Sequence, residues 1–523
     1  MIAVPEEALR PWAPETERRS ALQLPEYVCD VFLLLMASLF ILYFDQNGLG
    51  KISVAKRNCF FTLTGLYLGA LLLAVLTVLI HPETQEAAIY ELRARLRRTS
   101  VVCYALLAYL ALTLISALLS EHTEAVWIGA TRNEGFITQM LYVLIVCTLT
   151  LFARPKRWQL YVLGATMIVF TVISVLQVIG GDPLSLYPSG RTYENLEGRY
   201  LGTIGNVDHI AGMLCVFIPL FAVTLIRGSG KSRFALALPL GATLLLLLLI
   251  SVLGGFVGIA VGGVLAVPFV LRFSAKSTKW YFIGLVVLGV LGLAGLYVVD
   301  VGDGMFHEMH EILHGNFDDR FGSGRIFIWR QVLERIPVRF WFGYGPDTMR
   351  LENLEPFTRV IEGQAEPKVA HIDTAHNEYL NILFHQGIFA LAAFMTAIVV
   401  ALVHYFRDAK RNVAVAVFGT GVLCHCVDAL FGISQPITTP FFWIAVGLLE
   451  ASFARPADAP ESGSPSYIGR WQQPEGADAE AALQPTPAED NTRSQVARVE
   501  QPKGLTAAPY PAPAADSPEN APS

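Results

Sequence analysis

Charge is scarce in this chain of 523 residues: 16% are Asp, Glu, Lys or Arg, against about 25% in soluble globular proteins. With 53% hydrophobic residues and a mean hydropathy of +0.48, that scarcity excludes an ordinary soluble enzyme and a nucleic-acid binder. Cysteine is sparse too. The seven cysteines sit in or beside apolar runs and none falls in the polar segment 300–375. No disulfide framework is therefore implied, and they read as small buried hydrophobes. The first 26 residues carry Pro5, Pro11, Pro14 and Pro25 and lack an apolar h-region, so no cleavable signal peptide is expected. Convincing internal repeats, which transporters tend to show, are also missing.

What the chain has instead is apolar runs of about 18–25 residues, near the length that crosses a hydrocarbon core of about 30 Å. Twelve spans are expected: 27–44, 59–80, 100–119, 136–153, 158–179, 203–226, 233–250, 254–271, 280–299, 379–406, 412–433 and 437–454. The fold class is thus an all-α polytopic membrane protein. Short basic clusters recur in alternate loops: Arg93 to Arg98, Arg154 to Arg157, Arg227 to Arg233, Arg272 to Lys279 and Arg407 to Arg411. The positive-inside rule then places both termini in the cytoplasm and segment 300–375 outside. Lys51, Lys56 and Arg57, in the first outer loop, are the exception. The expected layout is a cytoplasmic segment 1–26, a membrane domain 27–454 and a tail 455–523. That tail, rich in Pro, Ala, Ser, Gln and Glu, is expected to be a disordered cytoplasmic segment.

The outer segment 300–375, with thirteen acids and eight bases, is too long to be a mere connector. Ser323 is placed to cap a helix over 324–336, in which Ile326, Trp329, Val332, Leu333 and Ile336 recur at helical spacing. With Phe340, Trp341 and Phe342 following, this helix is suited to the membrane interface. Its arginines can then meet lipid phosphates or a diphosphate substrate. His310-Glu311-Ile312-Leu313-His314 is formally a zinc-protease pattern, with His307 on the same face and Glu334 as a distant third ligand. It lacks any evident second shell, and a surface coincidence is the expected reading. Cys424-His425-Cys426 points in three directions on a helix and reads as packed interior. Asp428 is ionisable within a span and so a functional candidate, although snorkelling at the outer end would also account for it.

Two stretches resemble one known family. The first is Gly198-Arg199-Tyr200-Leu201-Gly202-Thr203-Ile204-Gly205-Asn206, followed by an apolar span. The second runs from Ser323-Gly324-Arg325 through Ile328-Trp329 and Gly343-Tyr344-Gly345-Pro346-Asp347-Thr348 to Ala375-His376-Asn377-Glu378-Tyr379-Leu380 and Gly387. Both are similar to signatures of the O-antigen ligase and O-antigen polymerase superfamily of bacterial membrane glycosyltransferases. Arg132-Asn133-Glu134-Gly135 resembles a weaker feature of that family. The chain departs from the pattern in having Asn206-Val207-Asp208-His209 in place of Asn-Pro-Asn. It also has Ser251-Val252-Leu253-Gly254 in place of the Ser-Arg-Gly whose arginine the family uses to hold a lipid diphosphate. Arg191, Arg199 or Arg320 would have to compensate.

The resemblance implies transfer of a glycan from an undecaprenyl-diphosphate carrier to an acceptor hydroxyl on the outer face of the bacterial cytoplasmic membrane. The implied partners are that donor, a glycan, lipid or wall-polymer acceptor, and the bilayer, without nucleic acid. A hydroxyl nucleophile needs a base, and His376 stands where the outer loop re-enters the membrane. A diphosphate leaving group is already stable as an anion, so arginines can hold it without metal or other cofactor. Arg199 and Arg325 are the first candidates, Arg320 and Arg132 the second, with Asn206 and Asn377 in support. A single displacement would invert the anomeric centre. A transporter or flippase of lipid-linked glycan, or an inactive scaffold in envelope assembly, are the alternative readings.

Overall fold

A computed structural model describes residues 20–188, 190–359 and 368–453. The expected tail 455–523, and residues 1–19 of the expected N-terminal segment, lie outside the described residues. The described chain is helical almost throughout. In order it forms α1 (Gln23–Leu35), running into a π turn (Met36–Phe40), then α2 (Ile52–Ile80), α3 (Gln85–Arg97), α4 (Val101–Leu119), α5 (Phe136–Phe152) and α6 (Arg157–Val178). These are followed by α7 (Val207–Arg227), α8 (Ala237–Ile250), α9 (Leu253–Val270), α10 (Ala275–Val298), α11 (Met305–Leu313), α12 (Phe321–Arg335), α13 (Glu378–Asp408), α14 (Val413–Asp428) and α15 (Thr439–Phe453). Two small antiparallel ladders, β1 (Tyr200–Leu201) with β2 (Gly205–Asn206) and β3 (Phe357–Arg359) with β4 (Lys368–Ala370), are the strands among the described residues.

Among the described residues, nine helices are long and apolar enough to cross a membrane, not the twelve expected. α5, α14 and α15 fall short of that length. They pack against other helices: α14 lies against α7, α9 and α15, and α15 against α5. Every described residue of α15 up to Ser452 is buried. α10 is the opposite case, apolar all round with none of its residues buried, as a lipid-facing helix requires. The fold is a multi-pass, all-α membrane architecture around one continuous apolar core.

Two of the three basic residues between the first two expected spans, Lys56 and Arg57, have partners inside the fold. Lys56 is fully buried and donates to the carbonyls of Phe40 (2.6 Å) and Ile41 (2.9 Å). Those carbonyls are left without a helical partner where the π turn ends. Arg57 likewise turns inward, donating to Asn133 Oδ1 at 2.9 Å. At the other end of the bundle the basic clusters converge with acids. Arg154 pairs with Glu26 at 2.6 Å, Lys156 with Asp30 at 2.5 Å, and Arg95 with both Glu26 and Glu91. α3 carries Glu91 and Arg95 into that network.

The helix expected over 324–336 exists, but its start differs from the expected one. Ser323 does not cap it: Gly322, Ser323 and Gly324 all have positive φ (61°, 61° and 87°), so regular helix begins at Arg325. The glycines on either side make that left-handed turn accessible, and the chain uses it instead of a capped start. Part of the helix's apolar face is covered by protein, while Leu333 is exposed. Ile328, Val332 and Ile336 are buried against Met349, Leu354, Ile372 and Phe384 in a separate small core formed by segment 300–375 and the start of α13. That core is a rigid platform beside the start of α13.

Candidate functional site

The first residues of α13 define the site. His376 immediately precedes the helix with φ = 50°, a left-handed backbone that non-glycine residues adopt rarely and at a cost of about 1–3 kcal/mol. Its neighbours hold it there. Asn381 Oδ1 accepts the Ala375 N–H at 2.8 Å, and Asn381 Nδ2 donates to Thr374 Oγ1 at 3.0 Å. The Trp329 indole N–H of α12 donates to the Ala375 carbonyl at 2.8 Å. Asn377 acts as the helix cap, its Oδ1 accepting the Leu380 N–H at 3.0 Å. The turn is docked on α14's end by Glu378 N–H to Ala429 O (2.9 Å) and Tyr379 O–H to Cys426 O (2.8 Å).

A second element reaches the same place from the loop before α5. Arg132 donates to Asp373 at 2.8 Å, three residues before His376. Its backbone is fixed by Asp347, whose carboxylate accepts the N–H groups of Thr131 (3.2 Å), Arg132 (2.8 Å) and Glu134 (3.4 Å) and the Thr131 hydroxyl (3.2 Å). Burial pushes the Asp347 carboxyl up to about 6, with the backbone donors opposing it. Gly129, at φ = 111°, lets the loop pass over it: a Cβ there would lie 2.2 Å from Asp347 Oδ2. Replacing Asp347 by alanine leaves three N–H groups without their acceptor, at about 1–3 kcal/mol for each one that stays buried. Hydrogen exchange over residues 129–134 should accelerate at least tenfold in D347A while α15 exchanges as before.

α7 supplies the third element. Asn206 caps it, accepting the Asp208 N–H at 2.8 Å. His209 is 3% exposed, and both Arg132 and His376 lie within electrostatic range of its ring. Arg325, the first regular residue of α12, donates to Gly322 O (3.0 Å) and Phe431 O (3.4 Å). Burial holds its guanidinium below the ordinary arginine value, with the charge of Asp208 opposing that shift. Phe431 Cβ and Asp428 Oδ1 both lie against Gly254 at the start of α9. Arg325 thus reaches the carbonyl of a residue that packs beside the start of α9. Asp428 itself is 4% exposed, so snorkelling does not account for it.

Arg132 is thus tied to the His376 turn through Asp373, and Asn377 caps the helix that follows, while Arg325 is held at Phe431 and Asn206 at the start of α7. Arg199 and Arg320 turn their side chains to other partners. Arg199 is anchored beside α7, its carbonyl accepting the Val207 N–H at 3.0 Å, but its half-exposed guanidinium pairs with Glu197 at 3.0 Å. Arg320 is 89% exposed and pairs with Asp318 at 2.7 Å, which holds that carboxyl down to about 2. Asp347, Asp373, Trp329 and Asn381 were missed as site residues. Asp347 and Trp329 stood inside the quoted motifs, which was the available signal.

The other motifs resolve as packing. His310 Nδ1 meets Leu296 O at 2.7 Å, His314 Nδ1 meets His310 O at 2.9 Å, and the His314 ring stacks on Tyr297 at 4.3 Å. Among the described residues no group of three or more His, Cys, Asp or Glu side chains is arranged to hold a metal ion. In the Cys-His-Cys run, His425 turns to Gly212 O (3.1 Å) and stacks on Phe442, while Cys424 is buried.

Comparison with known families matches residues 234–395 to the O-antigen ligase family. The matched segment contains Arg320, Arg325 and His376, whereas Arg132, Arg199 and Asn206 precede it. The match supports the O-antigen ligase and polymerase superfamily, and with it a ligase- or polymerase-type membrane enzyme. No curated protein matches the chain.

Proposed function

We propose that this O-antigen-ligase-related chain moves a glycan from an undecaprenyl-diphosphate carrier to an acceptor hydroxyl at the outer face of a bacterial cytoplasmic membrane. The observation that carries the reading is the left-handed turn at His376, held by three elements and lying three residues after Asp373, the partner of Arg132. In the reaction, His376 takes the proton from the acceptor hydroxyl. The oxygen then attacks C1 of the donor sugar as the C1–O bond to the diphosphate breaks, inverting the anomeric centre. Arg325 and Arg132 meet the charge that grows on the departing diphosphate. Arg325 takes the place left by the missing arginine, and Arg199 and Arg320 are left to guide the headgroup from the surface. Neither metal nor nucleotide sugar is required.

The proposed topology has a membrane domain over 27–454, twelve passes counting the short central helices, both termini cytoplasmic and the His376 loop outside. The clustering of Arg154, Lys156, Arg95 and their acids at the bundle end away from His376 supports that orientation. The test is transfer from an undecaprenyl-diphosphate oligosaccharide by the protein in proteoliposomes, with and without EDTA, and the anomeric configuration of the product read by NMR. Inversion that is indifferent to EDTA is the expected result. A retained configuration would overturn the single displacement, and inhibition by EDTA the metal-free mechanism.

A further inference from the structure

We propose that Trp329 is a positioning residue for His376, acting through the Ala375 carbonyl; the inference rests on the transfer reaction proposed above. An indole nitrogen is a donor only, so the 2.8 Å contact to Ala375 O has one reading, N–H to carbonyl. That carbonyl belongs to the residue before His376, whose backbone sits in the left-handed region and needs outside support. Asn381 grips the N–H of the same residue from within α13, at 2.8 Å. Ala375 is fully buried between the two grips, so its peptide groups have little access to water as a substitute.

The donor's place on α12 adds a second consequence. Arg325 and Trp329 are four residues apart and share one helix face. Their neighbours Ile328 and Val332 are buried in the small core shared with the start of α13, which fixes the helix. One rigid helix thus presents the arginine to Phe431 O and the indole to Ala375 O. It sets the spacing between the base and the anion-holding arginine, the geometry that an in-line displacement depends on. Trp329 meets the turn at a backbone carbonyl, that of Ala375. Its effect is therefore on the rate of the chemical step and not on donor binding.

The experiment compares the full-length protein with Trp329→Phe, which keeps an aromatic ring in the core and removes the N–H. Incorporating 3-benzothienylalanine at 329, which replaces the N–H by sulfur at nearly constant shape, covers the case in which Trp329→Phe fails to fold. Transfer from an undecaprenyl-diphosphate oligosaccharide should show kcat lowered about tenfold. KM for the donor should stay within about twofold, and Tm in detergent should hold. Independently of turnover, diethyl pyrocarbonate should modify His376 several-fold faster, by mass spectrometry, once the turn is loosened. Unchanged kcat together with unchanged labelling would overturn the proposal, as would a fall in kcat matched by a fall in Tm. If the wild type transfers nothing, the transfer reading fails, and the labelling rates still decide whether Trp329 holds the turn.

Discussion

His376→Ala should lower glycan transfer by about 10²–10⁴-fold, the range a positioned general base contributes. The arginines and the bound carrier remain, so the residual rate reports what holding the diphosphate achieves without a base. His376→Gln should be as slow, since an amide can hydrogen-bond the acceptor but cannot take its proton. The companion variants His310→Ala and His314→Ala should keep wild-type rates, because those rings turn to backbone carbonyls and Tyr297. Initial rates of product formation in proteoliposomes measure all four. A His376→Ala rate within about twofold of wild type would remove the base from the mechanism and favour a silent scaffold.

Gly387→Ala should cost the fold about 4 kcal/mol or more, the strained backbone and the steric overlap adding. Gly387 breaks α13 at φ = 81° and ψ = −179°, a region that is essentially reserved for glycine. A Cβ there would stand 2.3 Å from Trp341 O and 2.5 Å from Phe342 N, and both are backbone atoms. The chain at 340–345 wedges into this break. Tyr344 and Gly345 donate to Phe384 O (3.1 Å) and His385 O (2.8 Å), and Ile388 donates to Phe340 O (2.9 Å). From α4, Ser116 donates to His385 O at 2.8 Å and Ser120 to Tyr344 O at 2.5 Å. The methyl group therefore pushes apart the joint between the outer segment and the bundle. Thermal unfolding in detergent should show Tm lowered by several degrees at least, with loss of monodisperse protein. Wild-type melting of Gly387→Ala would contradict this packing.

The helices were legible because hydropathy runs are local: each of the expected spans falls on a helix, and the outer segment was visible by its charge. Two kinds of feature were not. α3 was hidden because Gln85–Arg97 has no strong apolar stripe, and its Arg95 pairs with Glu26, far away in the chain. Lys56 read as a loop charge because nothing local shows that the π turn leaves carbonyls for it to satisfy. For the site, the resemblance picked out His376, Arg325 and Arg132 but not what fixes them. Asp347 with residues 131–134, Asp373 with Arg132, and Trp329 with Ala375 are joined across loops whose closure no spacing in the sequence encodes. Arg320 matched the expected chemistry by type and position, yet its local contact with Asp318 takes it outward.

The most direct measurement is release of undecaprenyl diphosphate from a lipid-linked oligosaccharide by the purified protein in detergent micelles. A micelle has no second compartment, so moving a lipid between leaflets cannot register, whereas glycan transfer to an added acceptor does. The account predicts stoichiometric release of the carrier and a glycosylated acceptor, both lost in His376→Ala. An unchanged donor, alongside a known ligase that is active under the same conditions, would contradict it and point to transport or scaffolding.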